Sequence, residues 1–160
     1  MRMPGEEDAG GGAKAHVELT GNELGTHGSA KELRKAAMTY AEKHIIGQSF
    51  VNASSGHTIK VTRQGMKHSL SRKNNPEVRL SVGLPRMLIH AHYAGSKAPT
   101  EKHARRGIVA MHQYIATAHM GAEKFEVGIV THEKSDGHEH YDHAIVASGA
   151  KGAERLGRLL

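Results

Sequence analysis

Residues Gly56–Lys73 read GHTIKVTRQGMKHSLSRK, and this stretch decides the predicted fold because a strand pattern passes directly into a helix pattern. In the first half, apolar and aromatic residues alternate with polar ones, as in a half-buried strand. The residues on one side of that strand are His57, Ile59 and Val61. Thr62 stands at the junction, where its hydroxyl can accept a hydrogen bond from the first free amides of a helix. Met66 and Leu70 follow one turn apart, so we expect them to face the core.

The same helix is predicted to present a cationic outer side. His68 and Arg72 lie one turn apart on the side away from the core, and further cations flank them. An imidazole that titrates near neutral pH, next to permanent positive charges, is suited to act on a phosphate group. The predicted phosphate-binding residues are Arg63, Lys67, Arg72 and Lys73.

The charge of the chain is strongly one-sided. The net charge is +6 and the isoelectric point is near 9.7. Between Glu42 and Glu101, the only acidic residue is Glu77. Such a surface attracts nucleic acid without selecting a sequence, so it favours a nucleic-acid partner. A solvated basic face and a docking face for an acidic protein remain as alternatives.

Composition limits the class of protein. A chain of 160 residues is long enough for one ordinary core, so we expect a single domain. The absence of cysteine excludes disulfides, thiolate metal sites and thiol nucleophiles. No signal-peptide pattern and no membrane-spanning apolar run is found, so we expect no membrane partner. With 4% aromatic residues and no tryptophan, a base-stacking platform is not supported.

The first half of the chain predicts helices and one hairpin. Ser29 and Glu32 form a capping box, and helical spacing continues to Gly47. A strand at 50–51 and a turn at 52–56 lead back into the strand described above, giving a hairpin. A second helical region over 78–91 is expected to break near Gly83 and Pro85. Residues 94–106, rich in charge, Pro and Gly, are predicted to be loop.

The last third predicts three strands. Alternating patterns run over 109–116 and 124–131, and a turn at 135–137 precedes a third strand over 138–147. Helices followed by this antiparallel meander place the chain in the α+β class. The predicted organisation is a flexible head at 1–15, one domain at 16–147, and a tail or linker at 148–160.

Three phrases carry a resemblance to a known group of domains. They are NASSGHTIKVTRQGMKHSLSR at 52–72, LPRMLIHA at 84–91 and GHEHYDHAIV at 137–146. In these phrases the chain resembles the phage-associated nuclease-like domains of the Barnase, EndoU, colicin and RelE fold, which sit inside large polyvalent phage or mobile-element proteins. The resemblance implies N-terminal helices packed on an antiparallel meander whose open face holds RNA.

The resemblance also implies a function. The expected activity is metal-independent, toxin-like endoribonuclease cleavage in the cytoplasm of a bacterial cell. The expected partners are RNA, with tRNA as a candidate, and an acidic immunity protein or antitoxin. Two other functions stay open: a catalytically silent nucleic-acid-binding or phage packaging-associated module, and a basic protein-interaction domain.

Cleavage of this kind needs a base for the ribose 2'-hydroxyl, cations for the phosphate, and an acid for the leaving 5'-oxygen. Histidine serves as either base or acid, and the chain has 14 histidines. His68 is the first candidate, because it lies on the cationic helix. The second group comes from the third strand, where the resemblance favours the phrase Tyr141-Asp142-His143.

Regular alternation along the third strand puts Tyr141 and His143 on one face with Ile145, and His140 and Asp142 on the other. Which of these faces looks into the cleft is left open. His112 is expected to lie beside this strand. The predicted catalytic residues are His68, His143, His140 and Tyr141.

No metal ligand set or cofactor is predicted. His132, His138 and His140 could approach one another across a hairpin, which makes zinc the rival explanation for the many histidines. The chain lacks both the H-E-x-x-H spacing and cysteine pairs, and its glycines form no Walker loop or dinucleotide fingerprint.

Overall fold

Three long strands form the centre of the fold in the computed structural model, which describes residues 16–148. The seven strands are β1 (His16–Leu19), β2 (Ser49–Val51), β3 (Thr58–Lys60), β4 (His92–Lys97), β5 (Ile108–Met120), β6 (Glu123–Lys134) and β7 (Glu139–Ser148). The predicted head at 1–15 and all but the first residue of the predicted tail at 148–160 lie outside the described residues.

Short helices connect these strands. They are α1 (Ala30–His44), α2 (Arg63–Leu70), α3 (Glu77–Leu80), a 3-10 turn (Ser81–Gly83), α4 (Leu84–His90) and α5 (Glu101–Arg105). Over residues 16–148, no helix combines the length and the apolar composition needed to cross a bilayer.

The strands form one curled, mixed sheet in the order β1-β5-β6-β7-β3-β2, with β4 also paired to β5. The predicted antiparallel meander of β5, β6 and β7 is confirmed, and so is the α+β class. The expectation of an antiparallel sheet throughout was wrong, because β1 runs parallel to β5 and β3 runs parallel to β7. Helices and further strands separate the two strands of each parallel pair in sequence, which provides the long crossover that parallel pairing requires.

The core lies between one face of this sheet and helices α1 to α4. Large buried side chains from the sheet include Tyr114, Phe125 and Ile129, and the predicted core residues Met66 and Leu70 of α2 pack with them. The helices cover this face, so the large cleft described below opens on the opposite, outer face of the sheet.

The predicted caps are confirmed. The Ser29 hydroxyl accepts from the amide of Glu32 at 3.2 Å, and the Glu32 carboxylate reaches back to the amide of Gly28 at 3.1 Å. The Thr62 hydroxyl accepts from the amide of Gly65 at 3.0 Å. These bonds satisfy amides that have no partner inside their helices.

Two local predictions were wrong, and one was confirmed. Helix α2 ends at Leu70, and Arg72 follows with a φ of 62°, so Arg72 is not on the helix with His68. The region 78–91 forms two short helices joined by a 3-10 turn, with Gly83 and Pro85 at the break as predicted. Residues 94–106 are not all loop, because β4 extends to Lys97 and α5 begins at Glu101.

A β-bulge at Asp142 changes which side chains share a face of β7. Thr131 of β6 is in register with Tyr141, but the preceding Val130 is in register with His143, so Asp142 is the extra residue. Tyr141 therefore faces the core, while His143 lies on the opposite, outer face with His140. The predicted alternation, which put Tyr141 and His143 on one face, was wrong for this reason.

Candidate functional site

Helix α2 packs against the edge of β7 beyond the end of β3. A Cβ atom on Gly65 would lie 2.4 Å from the carbonyl oxygen of Tyr141, so the two backbones meet where only glycine fits. The hydroxyls of Ser69 and Tyr141 lie 2.5 Å apart in the same seam. This packing holds His68, on the outer side of α2, close to Asp142.

Asp142 is surrounded by three imidazoles. Its Oδ2 atom accepts a hydrogen bond from Nδ1 of His143 at 2.6 Å. The same oxygen lies 3.6 Å from Nε2 of His132 and 3.9 Å from Nε2 of His68. The rings of His68 and His143 meet edge to face, with centroids 6.4 Å apart. The bulge makes this cluster possible, because it turns the Asp142 side chain toward α2 and β6 together.

His68, His132 and Asp142 line an open cleft of about 530 Å³ between α2, α5 and the outer face of the sheet, and His143 is joined to that wall by its hydrogen bond to Asp142. The cations on its walls are Lys102, Arg106 and Lys134, and His103 lies with its ring 5.0 Å from that of His132. The sequence reasoning missed the residues from α5 because it read 94–106 as loop. The sequence does contain one signal of that helix, because Thr100 is a residue type that often caps helices. In the structure its hydroxyl accepts a hydrogen bond from the amide of His103 at 3.3 Å.

The Asp142 carboxylate is held in its charged form. Burial by itself would raise the pKa of Asp142 and is the largest single influence on it. The hydrogen bond from His143 and the charges of His132, His143 and His68 act the other way, and together they lower the pKa of Asp142 below its ordinary value. A permanent negative charge thus lies among the imidazoles.

His132 and His140 lie side by side on β6 and β7, on the outer face. Burial lowers the pKa of both groups. For His132, the nearby positive charges of His103, His143 and Arg106 lower the pKa further. For His140, the charge of Lys134 has the same effect. Within residues 16–148, the Nε2 atoms of both rings are buried without a hydrogen-bond partner. His132 was missed as a candidate acid or base, since from the sequence we considered it only as a ligand in the rival zinc set.

Acidification is expected to destabilise the fold through these two imidazoles. Their pKa values are lowered in the folded state, so the unfolded chain takes up protons first, and stability is lost as the pH falls below about 6.5 toward the folded pKa values. The measurement is the midpoint of urea unfolding between about pH 7.5 and pH 5. His132→Gln should flatten this pH dependence. The exposed His44→Gln on α1 is the control, and an equally steep profile for His132→Gln and wild type would contradict the prediction.

The structure brings together three of the four predicted catalytic residues. His68 is 64% exposed above Asp142, His143 is bonded to Asp142, and His140 lines the same cleft. Tyr141 has its side chain on the core side, where burial raises the pKa of its hydroxyl. The backbone of Tyr141 borders the cleft, and its hydroxyl is bonded to Ser69.

The predicted phosphate-binding residues lie away from the cleft walls. Arg63 is paired with Glu42 of α1, and Lys73 lies 3.8 Å from Glu77. Lys67 and Arg72 are exposed, with Arg72 beyond the end of α2. The cations that do line the cleft come from α5, the residue after it and the end of β6.

Comparison with known families finds one match. The family model described as large polyvalent protein-associated domain 3 matches residues 28–141, which include α2, α5 and the part of β7 that ends just before Asp142. No curated protein and no solved structure matches the chain.

Proposed function

The chain belongs to the large polyvalent protein-associated domain 3 family, and we propose that it is an endoribonuclease domain that cleaves RNA through its own 2'-hydroxyl. The predicted association with large polyvalent proteins is confirmed by this membership. The proposal is carried by one observation: Asp142, on the wall of a cleft lined by cations, has His68, His132 and His143 around its carboxylate.

His143 acts as the base in this proposal. Asp142 accepts a hydrogen bond from the N–H at Nδ1 of His143, which leaves the lone pair on Nε2 free to take a proton from the ribose 2'-hydroxyl. The 2'-oxygen then attacks phosphorus while the bond to the 5'-oxygen breaks, giving a 2',3'-cyclic phosphate. Asp142 stabilises the imidazolium that forms.

His68 acts as the acid. It lies on α2, with its ring edge to face with the ring of His143 and its Nε2 atom 3.9 Å from Oδ2 of Asp142. From this position it donates a proton to the departing 5'-oxygen. Imidazoles from two different elements, α2 and β7, allow the base and the acid to act on different oxygens of one phosphate group.

The cations around the cluster bind the phosphates. Lys102 and Arg106 come from α5 and the residue after it, and Lys134 comes from the end of β6, so their charges converge on the cleft from two sides. Positive charge there stabilises the negative charge that develops on the phosphate oxygens. Lys67 and Arg72, exposed on and after α2, extend this field toward the neighbouring nucleotides.

The fold supports the same proposal. Helices cover one face of a curled sheet and the cleft opens on the other, and an open sheet face that holds RNA is what the sequence resemblance to the Barnase, EndoU, colicin and RelE group implies. A toxin-like role in a bacterial cell and inhibition by an acidic immunity protein or antitoxin follow from that likeness. Such an inhibitor would meet the cationic cleft.

The test is an RNA cleavage assay in EDTA with total tRNA and a labelled RNA oligomer. Wild type is expected to yield 2',3'-cyclic phosphate ends, and His68→Ala should lose this activity. RNA binding at low salt without any product would instead identify a catalytically silent nucleic-acid-binding module. Binding that does not weaken with salt would reject both nucleic-acid functions.

Removal of one cleft cation is expected to weaken RNA binding. Arg106→Ala should lower the affinity and reduce the slope of log K against log salt by about 0.7, because one phosphate contact to single-stranded RNA is lost. The matched control is the adjacent Arg105→Ala, since Arg105 is paired with Glu101 at 2.6 Å, outside the cleft. Equal salt-dependence slopes for the two variants would show that Arg106 does not contact RNA.

A further inference from the structure

A second polar cluster lies on the core side of the sheet, at the end where β3, β5 and β7 meet. His57, His112 and Glu139 each offer one ligand atom there, and these atoms all lie within 4.8 Å of one another. Glu139 is 3% exposed, His112 is 5% exposed, and the His57 side chain is 39% exposed at the rim. The cluster is thus almost closed from solvent, with an entry beside His57.

One oxygen of the Glu139 carboxylate accepts two hydrogen bonds. Its Oε1 atom accepts from the hydroxyl of Tyr114 at 2.8 Å and from that of Thr131 at 2.6 Å. The other oxygen, Oε2, meets Nδ1 of His57 at 2.5 Å. This contact places a carboxylate oxygen and an imidazole nitrogen side by side, with only a proton between them.

His112 is held in one tautomer. Its Nε2–H donates to Oε1 of Glu133 at 2.7 Å, so the lone pair of the ring is on Nδ1. That lone pair accepts from the hydroxyl of Tyr93 at 2.8 Å. An imidazole whose far nitrogen donates to a carboxylate is the usual arrangement of a metal-binding histidine.

The side chain of His57 is positioned by a buried turn. Asn52 donates to the carbonyls of Leu88 and Ala91 at 2.8 and 2.9 Å, and its own oxygen accepts from the amides of Ser54 and Ser55. The turn before His57 is thereby fixed to α4 and to the start of β4. The candidate ligands thus stand on a rigid frame.

We propose that His57, His112 and Glu139 bind a zinc ion. The ion would replace the proton between His57 and Glu139, releasing it into solution, and would take the lone pair on Nδ1 of His112 in place of the hydrogen bond from the Tyr93 hydroxyl, which turns its proton away. The Tyr93 hydroxyl or a water completes four-coordination, and Glu133 orients His112. Two imidazoles and one carboxylate suit zinc better than magnesium or calcium, which prefer oxygen ligands.

The proposed ion has a structural role that is independent of RNA cleavage. Its ligands come from the β2–β3 hairpin, β5 and β7, which are far apart in sequence. The β2–β3 hairpin lies at the sheet edge and pairs with β7 through only two register positions, at Ile59 and Lys60. The zinc ion ties that hairpin to the centre of the sheet. This site differs from the zinc set weighed from the sequence, which used His132, His138 and His140.

The test measures zinc binding and thermal stability of the whole chain after removal of metal with EDTA. One equivalent of zinc should bind, and zinc at about 100 times its Kd should raise the Tm by about 5–10 °C. His57→Ala and His112→Ala should lose more than about 100-fold in affinity, and Glu133→Gln about 10- to 100-fold. His57 is at the rim, so its removal leaves the core packing intact, and a circular dichroism spectrum verifies folding.

His68→Ala is the matched control, because it removes an imidazole from the cleft cluster on the other face. It should keep the zinc affinity and the rise in Tm. The proposal is overturned if wild type binds no zinc, if His57→Ala keeps full affinity, or if His68→Ala is the variant that loses it. None of these measurements depends on RNA cleavage, so the zinc site and the proposed endoribonuclease activity are tested independently.

Discussion

His143→Ala is expected to lower the rate of RNA cleavage by about 10²- to 10⁴-fold, the usual contribution of a positioned general base or acid. The reason is geometric: the His143 ring is fixed by the 2.6 Å hydrogen bond to Asp142, so its other nitrogen is presented in the tautomer that accepts a proton. Single-turnover cleavage of a labelled RNA oligomer measures the loss.

Asp142→Asn tests the positioning part of this result. An amide in place of the carboxylate can present an NH₂ donor to His143 and favour the wrong tautomer, so the rate should fall while RNA affinity changes little. The pH profile of the remaining activity should also shift, which a purely structural change would not produce. The control is His44→Ala, exposed on α1. Activity in His143→Ala within about threefold of wild type would rule out His143 as the base.

Gly65→Ala is expected to destabilise the domain by about 2 kcal/mol, which lowers its Tm by about 4–8 °C. In an exposed helix the same change would stabilise by about 1 kcal/mol, because alanine is the better helix former. Here the added methyl would lie 2.4 Å from the carbonyl oxygen of Tyr141, a backbone atom that cannot turn aside. The steric cost exceeds the gain in helix propensity, and α2 must move away from β7.

This displacement also has a functional consequence, since α2 carries His68 to Asp142. RNA cleavage by Gly65→Ala should therefore fall even at temperatures where the variant is folded. Gly28→Ala is the matched glycine control, because its Cβ would meet nothing closer than 3.6 Å. The measurement is thermal denaturation of both variants. A Tm for Gly65→Ala equal to or above that of wild type would contradict the prediction, because it would show that α2 can shift without loss of stability.

Local chemistry explains the parts of the fold that could be predicted. The caps at Ser29 and Thr62 and the long alternating strands are properties of residues close in sequence, and all are confirmed. The predictions that were wrong also have physical causes. Helix α5 has only five residues, too few for a periodic pattern, and the parallel pairing of β1 with β5 joins segments about a hundred residues apart.

The candidate site also contains residues that could be predicted from the sequence and residues that could not. His68 and His143 were predicted, because a histidine on a cationic helix and a histidine-rich strand are visible in the sequence. The role of His132 and the cations of α5 were missed, since each depends on contacts with residues far along the chain. The predicted phosphate-binding set fell on α2 and the residues after it, but Arg63 is neutralised by Glu42 of another helix.

By itself, the sequence around Gly56–Lys73 determined that a strand passes into a capped helix with Met66 and Leu70 inside and His68 outside, because side-chain periodicity and capping act over a few residues. Only the tertiary structure decided what His68 meets. The bulge at Asp142 exists because β7 has one more residue than its partner can pair, and that single residue reverses the faces of the strand. Since such a misfit depends on two strands together, neither strand reveals it alone.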